Sequence, residues 1–124
     1  MAGLAAAFGS GAMTNTIAEI EKSDVILITG SNTTENHPVL SSFAKRAVAF
    51  NDAKLFVIDP RRIKMAYFAH YSLRQNLGTD VAWINGMMHV ILKENLHDKT
   101  FIDERTEGFE EIKKVVEEFT PARV

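Results

Sequence analysis

One short run narrows the folding options of this chain more than any other feature: Val25-Ile-Leu-Ile28, with glycine at position 30 and proline at 38. Three of those four apolar residues are β-branched, and nothing polar interrupts them. Such a run reads as a parallel strand buried on both faces. Gly30 breaks it, a polar loop from Ser31 to His37 follows, and Pro38 stands where a first helical turn tolerates a missing N–H. A strand, a loop and a helix in that order form the unit of an open α/β sheet, whose ligands bind beyond the carboxyl ends of its strands. The loop Ser31 to His37 is therefore the first candidate site.

The pattern then repeats. A helix is expected from Pro38 to about Phe50, with Leu40, Phe43, Ala44 and Ala47 on one stripe. Asn51-Asp52 turns the chain into a second apolar strand, Leu55 to Ile58, which ends at Asp59-Pro60. Ahead of the first strand, Thr14 is a plausible cap for a short helix carrying Ile17 and Ile20 and ending near Ser23. Ile63 to Ala69 can hold one helical turn, and Tyr71 to Arg74 is a short candidate for a third strand.

Gly78-Thr79-Asp80 is a loop that becomes an N-cap, opening a helix to about Glu94 with Val81, Ile84, Met88 and Ile91 along one side. Asp98 caps a short helix through Arg105. The last helix begins near Gly108, aligns Phe109, Ile112, Val116 and Phe119, pairs Glu110 with Lys114, and stops at Pro121. The expected class is α/β: a Rossmann-like parallel-sheet, three-layer domain over residues 1–124. Sheets usually carry about four to six strands, so a sheet this thin is expected to be a fragment of a larger subunit.

Composition matters here for what it excludes. The chain has 124 residues and a formal net charge of −2, which argues against a nucleic-acid surface. No apolar run approaches the roughly 20 residues that span a bilayer, so no membrane insertion is expected. The apolar opening to Phe8 has no basic segment before it and makes a poor signal peptide. With no cysteine, the chain can form neither disulfides nor thiolate metal sites.

Three loops fall at the ligand-binding edge of this topology: Ser31 to His37, Asp59 to Arg62, and Gly78 to Asp80. Asp59, ending the second strand, stands where dinucleotide folds accept hydrogen bonds from ribose hydroxyls. The first loop lacks Gly-x-Gly-x-x-Gly, which speaks against an ordinary nicotinamide or flavin site. Gly78-Thr79 precedes a helix whose free N–H groups suit a phosphate. Asp80 can accept from a base with adjacent N–H donors, as guanine has. Arg61 offers a fork for phosphate oxygens.

Plainer readings stand beside these. Asp80 also reads as an N-cap, Asp59-Pro60 as a turn, and Arg61, Arg62 and Lys64 as a solvated basic face. His37 reads as a loop anchor, while His70, His89 and His97 show no metal-ligand spacing. No serine lies in a nucleophile-elbow pattern.

Taken together, Gly30-Ser-Asn-Thr-Thr-Glu-Asn-His-Pro38, Ile58-Asp-Pro-Arg61 and Leu77-Gly-Thr-Asp80 resemble the cofactor-binding segments of molybdopterin oxidoreductases. More narrowly, the chain is similar to the catalytic subunit of molybdenum- or tungsten-dependent formate dehydrogenases. Gly9-Ser-Gly-Ala-Met-Thr-Asn15 and Arg105-Thr-Glu-Gly-Phe-Glu110 share that look, so the resemblance runs over essentially the whole chain. It implies a bis(molybdopterin guanine dinucleotide) cofactor holding Mo or W, which oxidises formate to carbon dioxide and passes electrons to an iron–sulfur cluster.

By match of motifs, Gly30, Asn32 and Glu35 would lie against one guanine dinucleotide, with His37 supporting the loop. Asp59 and Arg61 would hold its ribose and phosphate region, and Gly78, Thr79 and Asp80 would meet the guanine end. The family's cluster-binding cysteines and its metal-ligating cysteine or selenocysteine precede this region. The resemblance therefore implies an excised cofactor-binding domain, inactive alone. Its partners would be the remaining domains of its subunit and iron–sulfur electron-transfer subunits, with a cytoplasmic location.

Two other readings remain. One is a cofactor-free electron-transfer scaffold, like the large iron–sulfur subunit of respiratory NADH dehydrogenase. The other is a domain for an unrelated nucleotide.

Overall fold

The structure is a computed structural model that describes residues 2–124. Its chain divides into two compact units, the first ending at Arg74 and the second running Gln75–Val124.

The first unit holds the sheet. A helix α1 (Ala2–Phe8) and a 3-10 helix (Ile17–Lys22) precede β1 (Val25–Thr29). Thr16, not Thr14, caps the 3-10 helix: the Glu19 carboxylate takes its N–H at 2.6 Å and its hydroxyl at 3.2 Å. After β1 come α2 (Thr33–Asn36), α3 (Pro38–Phe50), β2 (Lys54–Ile58), a second 3-10 helix (Lys64–Phe68) and β3 (Tyr71–Leu73). The three strands are parallel in the order β1-β2-β3, with Ile28 opposite Val57 and Val57 opposite Ser72. Pro38 opens α3 as expected, because its fixed φ suits the first turn.

Alternation along the strands sorts their side chains. Ile28, Leu55 and Val57 turn to one face and pack with Ala44 of α3 and with Ile63 and Met65 of the second 3-10 segment, supported by Ile20, Ile26 and Val48. Burying a side chain of this size contributes about 1.5–3 kcal/mol, so this cluster anchors the unit. The opposite face is largely open: Val25 and Leu27 are 62% and 46% exposed, and Tyr71 and Leu73 are exposed too, while Ile58 at the end of β2 is buried. Burial of β1 on both faces is thus corrected to burial on one. Both 3-10 segments and α3 contribute to the same side of the sheet.

The second unit is helical: α4 (Asp80–Lys93), α5 (Lys99–Arg105) and α6 (Phe109–Val116). Asp98 caps α5 by accepting the Phe101 N–H at 3.0 Å. His89 Nδ1 lies 3.0 Å from the Val116 carbonyl and ties α4 to α6. Glu110 and Lys114 form no ion pair among the described residues, and Phe119 falls beyond α6. No helix among the described residues is long and apolar enough to cross a membrane.

Candidate functional site

The first loop begins where β1 stops. Gly30 has φ +59°, a conformation that favours glycine, and its N–H donates to the Ile58 carbonyl at 3.1 Å. That bond ties the exit of β1 to the last residue of β2. The loop read as irregular in the sequence contains the single turn α2. Within it, Asn32 Nδ2 donates to Glu35 Oε2 at 2.9 Å. A carboxylate only accepts, so the amide nitrogen must be the end that faces it. The amide oxygen of Asn32 is thereby left buried without a partner, as is the Thr33 hydroxyl beside it. Buried polar atoms are ordinarily hydrogen-bonded, so the Asn32 oxygen, an acceptor, and the Thr33 hydroxyl, a donor or acceptor, each have unused capacity beyond the carboxyl end of β1.

The second loop reaches the same place from β2. Asp59 is 2% exposed, and its carboxylate is already engaged by Arg61. The Arg61 N–H and Nε donate to Oδ1 at 2.8 and 3.2 Å, and Nη2 donates to Oδ2 at 3.3 Å. These bonds hold the Asp59 carboxyl below the usual carboxylate range, with burial opposing them. Asp59 does not stand open to solvent. It aims a guanidinium whose side chain is 65% exposed. Lys64 Nζ lies 3.6 Å from Glu35 Oε1, linking the two loops through a solvated pair of small energetic weight. Arg62 instead lies over the Tyr67 ring at 5.1 Å.

His37 supports the loop through its backbone. Its N–H donates to the Thr33 carbonyl at 3.0 Å, and its carbonyl accepts the Ser41 N–H at 2.9 Å, joining α2 to α3. The first unit therefore brings Gly30, Asn32, Glu35, His37, Asp59 and Arg61 to one sheet edge, as the strand-end argument requires.

The third loop belongs to the second unit. Gly78 has φ +79°, and Thr79 is the N-cap of α4, with its hydroxyl donating to the Asn76 carbonyl at 2.8 Å. The N-cap reading of Asp80 is thus corrected by one position. Asp80 is exposed, the first residue of α4, and accepts from Gln75 Nε2 at 3.3 Å. Its carboxylate is not consumed in capping.

Thr33 and Gln75 escaped the sequence reading, and Lys64, expected on a solvated basic face, is solvated but paired with Glu35. The spacing of Asn32 and Glu35, three residues apart, is a helical-turn signal that could have revealed α2. The partners of Lys64 and Gln75 had no such signal. No group of three potential ligands among the described residues could hold a metal ion. A wide groove of about 440 Å³ in the second unit, lined by Trp83, Met87, Ile91 and Val124, contains none of the candidate residues.

Within the first unit, Asn32 supplies an unpartnered acceptor and Arg61 an exposed guanidinium fork. Within the second, Asp80 presents an exposed carboxylate.

Comparison with known proteins places the chain in a family. The family model for molybdopterin oxidoreductase matches residues 3–117. The F420-dependent formate dehydrogenase subunit alpha of Methanocaldococcus jannaschii is 52% identical over 121 residues, covering 96% of this chain and 18% of that protein. Formate dehydrogenase H of Escherichia coli is 43% identical over 124 residues, covering 100% of this chain and 17% of that protein. The solved structure of acetylene hydratase from Pelobacter acetylenicus superposes with a TM-score of 0.72 at 33% identity, covering 84% of this chain and 16% of that one. The chain spans less than a fifth of the length of these relatives.

Proposed function

This chain belongs to the molybdopterin oxidoreductase family, and from that premise we propose that it is the guanine-dinucleotide-binding part of a formate dehydrogenase catalytic subunit. Membership implies a molybdopterin cofactor. The finer reading is bis(molybdopterin guanine dinucleotide) carrying Mo or W. Its partners are the other domains of the subunit and iron–sulfur proteins. Identities of 52% and 43% to formate dehydrogenases favour formate as substrate. When bound, the group supplies two-electron oxidation of formate to carbon dioxide and the onward passage of electrons to an iron–sulfur cluster.

This chain's own residues bind and orient. The observation that carries the reading is the buried, unpartnered Asn32 Oδ1 at the same sheet edge as the Asp59–Arg61 fork. Asn32 accepts from the nucleotide, and Glu35 engages the amide nitrogen so that the oxygen is the end left without a partner. Arg61 meets phosphate oxygens, while Asp59 sets the direction of the guanidinium and leaves its outer N–H groups free. Gly30 lets the backbone turn there, and His37 braces the loop. In the second unit, Asp80 accepts from guanine N1–H and the 2-amino group, with Thr79 and Gly78 shaping the start of α4. An arrangement fixed before binding spares the ordering cost that would otherwise weaken the grip.

Calorimetry with GDP, ADP, FAD and NAD tests the reading. GDP is expected to bind most tightly, and preference for the flavin or nicotinamide would overturn it. Asp80→Asn is expected to weaken GDP about tenfold, because its amide turns donors toward donors, with ADP affinity unchanged. An equal loss for both nucleotides would remove Asp80 from base recognition.

A further inference from the structure

β3 has three residues, all exposed, so apolar burial does little to hold it beside β2. Its attachment depends on hydrogen bonds and on Tyr71 stacked against Phe56, with centroids 5.4 Å apart. One of those bonds is unusual. The Leu55 N–H donates to His70 Nδ1 at 3.2 Å, while the His70 N–H donates to the Leu55 carbonyl at 2.8 Å. A single residue on the lead-in to β3 therefore satisfies both polar backbone groups of one β2 residue. Leu55 is wholly buried, and a buried backbone N–H needs a partner.

We propose that His70 is a positioning residue whose neutral imidazole, carrying its proton on Nε2, clasps β3 to β2 and so sets the Asp59–Arg61 fork. The inference rests on the reading of that fork as a nucleotide grip. β3 meets the fork at two points. The Leu73 carbonyl accepts the Asp59 N–H at 3.2 Å, and Arg74 Nε donates to the Pro60 carbonyl at 3.1 Å. Loosening the start of β3 therefore loosens the backbone on which Asp59 and Arg61 stand.

The clasp works only with an open lone pair on Nδ1. An imidazolium has two donors and no acceptor, so a second proton on the ring opposes the Leu55 N–H directly. On the turn ahead of β2, Lys54 holds the exposed Asp52 carboxylate at 2.7 Å. Among the described residues no carboxylate forms an ion pair with the His70 ring.

The test is single-residue hydrogen exchange at Leu55 and Asp59 in the intact protein without nucleotide, from about pH 8 to about pH 5, the range in which histidines change charge. Wild-type protection at Leu55 is expected to fall about tenfold on acidification after correction for intrinsic exchange, with Asp59 falling alongside. His70→Asn, whose amide oxygen can accept, is expected to keep the protection and lose its pH dependence. His70→Leu is expected to lose it at every pH. The imidazole nitrogen shifts should report Nε2–H at neutral pH.

Equal protection in wild type and His70→Leu, or a proton on Nδ1 at neutral pH, would overturn the proposal. So would loss at Leu55 that leaves Asp59 unchanged, since the clasp would then not reach the fork. His70 is exposed, so these substitutions open no cavity. With no nucleotide in the measurement, its failure and a failure of the proposed function remain separate results.

Discussion

Asp59→Ala is expected to weaken GDP binding about ten- to a hundredfold, the range for losing a charged hydrogen-bonded contact, while the first unit stays folded. The two effects separate because of where the partners lie. Asp59 is buried, but the Arg61 side chain is 65% exposed and returns to water when its carboxylate is removed. With one partner solvated, the stability cost is about 1 kcal/mol. What is lost is direction: the two side-chain hydrogen bonds no longer fix the guanidinium, and the Arg61 backbone N–H loses its acceptor. Calorimetric affinity beside a urea midpoint checks both halves. Unchanged GDP affinity in a folded Asp59→Ala protein would show that the fork does not serve the nucleotide.

Acid gives the same bond a second signature. Hydrogen bonding to Arg61 holds the Asp59 carboxyl below its ordinary value. Its contribution to stability is then full above the unfolded carboxyl value of about 3.9 and is lost as pH falls through the lower folded value. The difference in urea midpoint between wild type and Asp59→Ala should be constant near neutrality and shrink below about pH 4. A difference that grew on acidification would contradict the assignment.

Leu55→Ala is expected to be the more damaging substitution for folding, costing about 2–5 kcal/mol. Leu55 is 0% exposed and sits in the cluster with Ile28, Val57, Ile63 and Met65. With the opposite sheet face largely open at Val25, Leu27, Tyr71 and Leu73, this cluster is the main apolar layer of the unit. Domain stabilities are about 5–15 kcal/mol, so the change removes a large fraction. The thermal midpoint should fall by about 10 °C or more. A loss below about 1 kcal/mol would mean that the neighbouring 3-10 segment collapses into the space.

Much of the fold could be read in advance, for a local reason. The apolar runs at Val25 and Leu55, the stripe from Leu40 to Ala47 and the caps at Pro38 and Asp98 each carry their signal within a few residues. α3, β2 and α5 accordingly form where expected. The errors have equally physical origins. Thr16 displaced Thr14 because Glu19 lies three residues beyond it and closes a capping box. Thr79 displaced Asp80 because the helix begins one residue earlier than the charge pattern suggests. The second face of β1 is bare because alternation along a strand says which side chains share a face and not what will cover them.

By itself the sequence determined the class of the chain, the order of its parallel strands and helices, and the loops beyond the strand ends that we propose as a nucleotide grip. Those depend on side-chain period and turn chemistry, which act over short stretches. Only the tertiary structure decided the state of each polar group: that Asp59 is committed to Arg61, that Asn32 keeps a free oxygen, and that His70 completes a neighbouring strand's hydrogen bonding. A donor and its acceptor can lie fifteen residues apart, as His70 and Leu55 do, and no local pattern reports whether such groups have met.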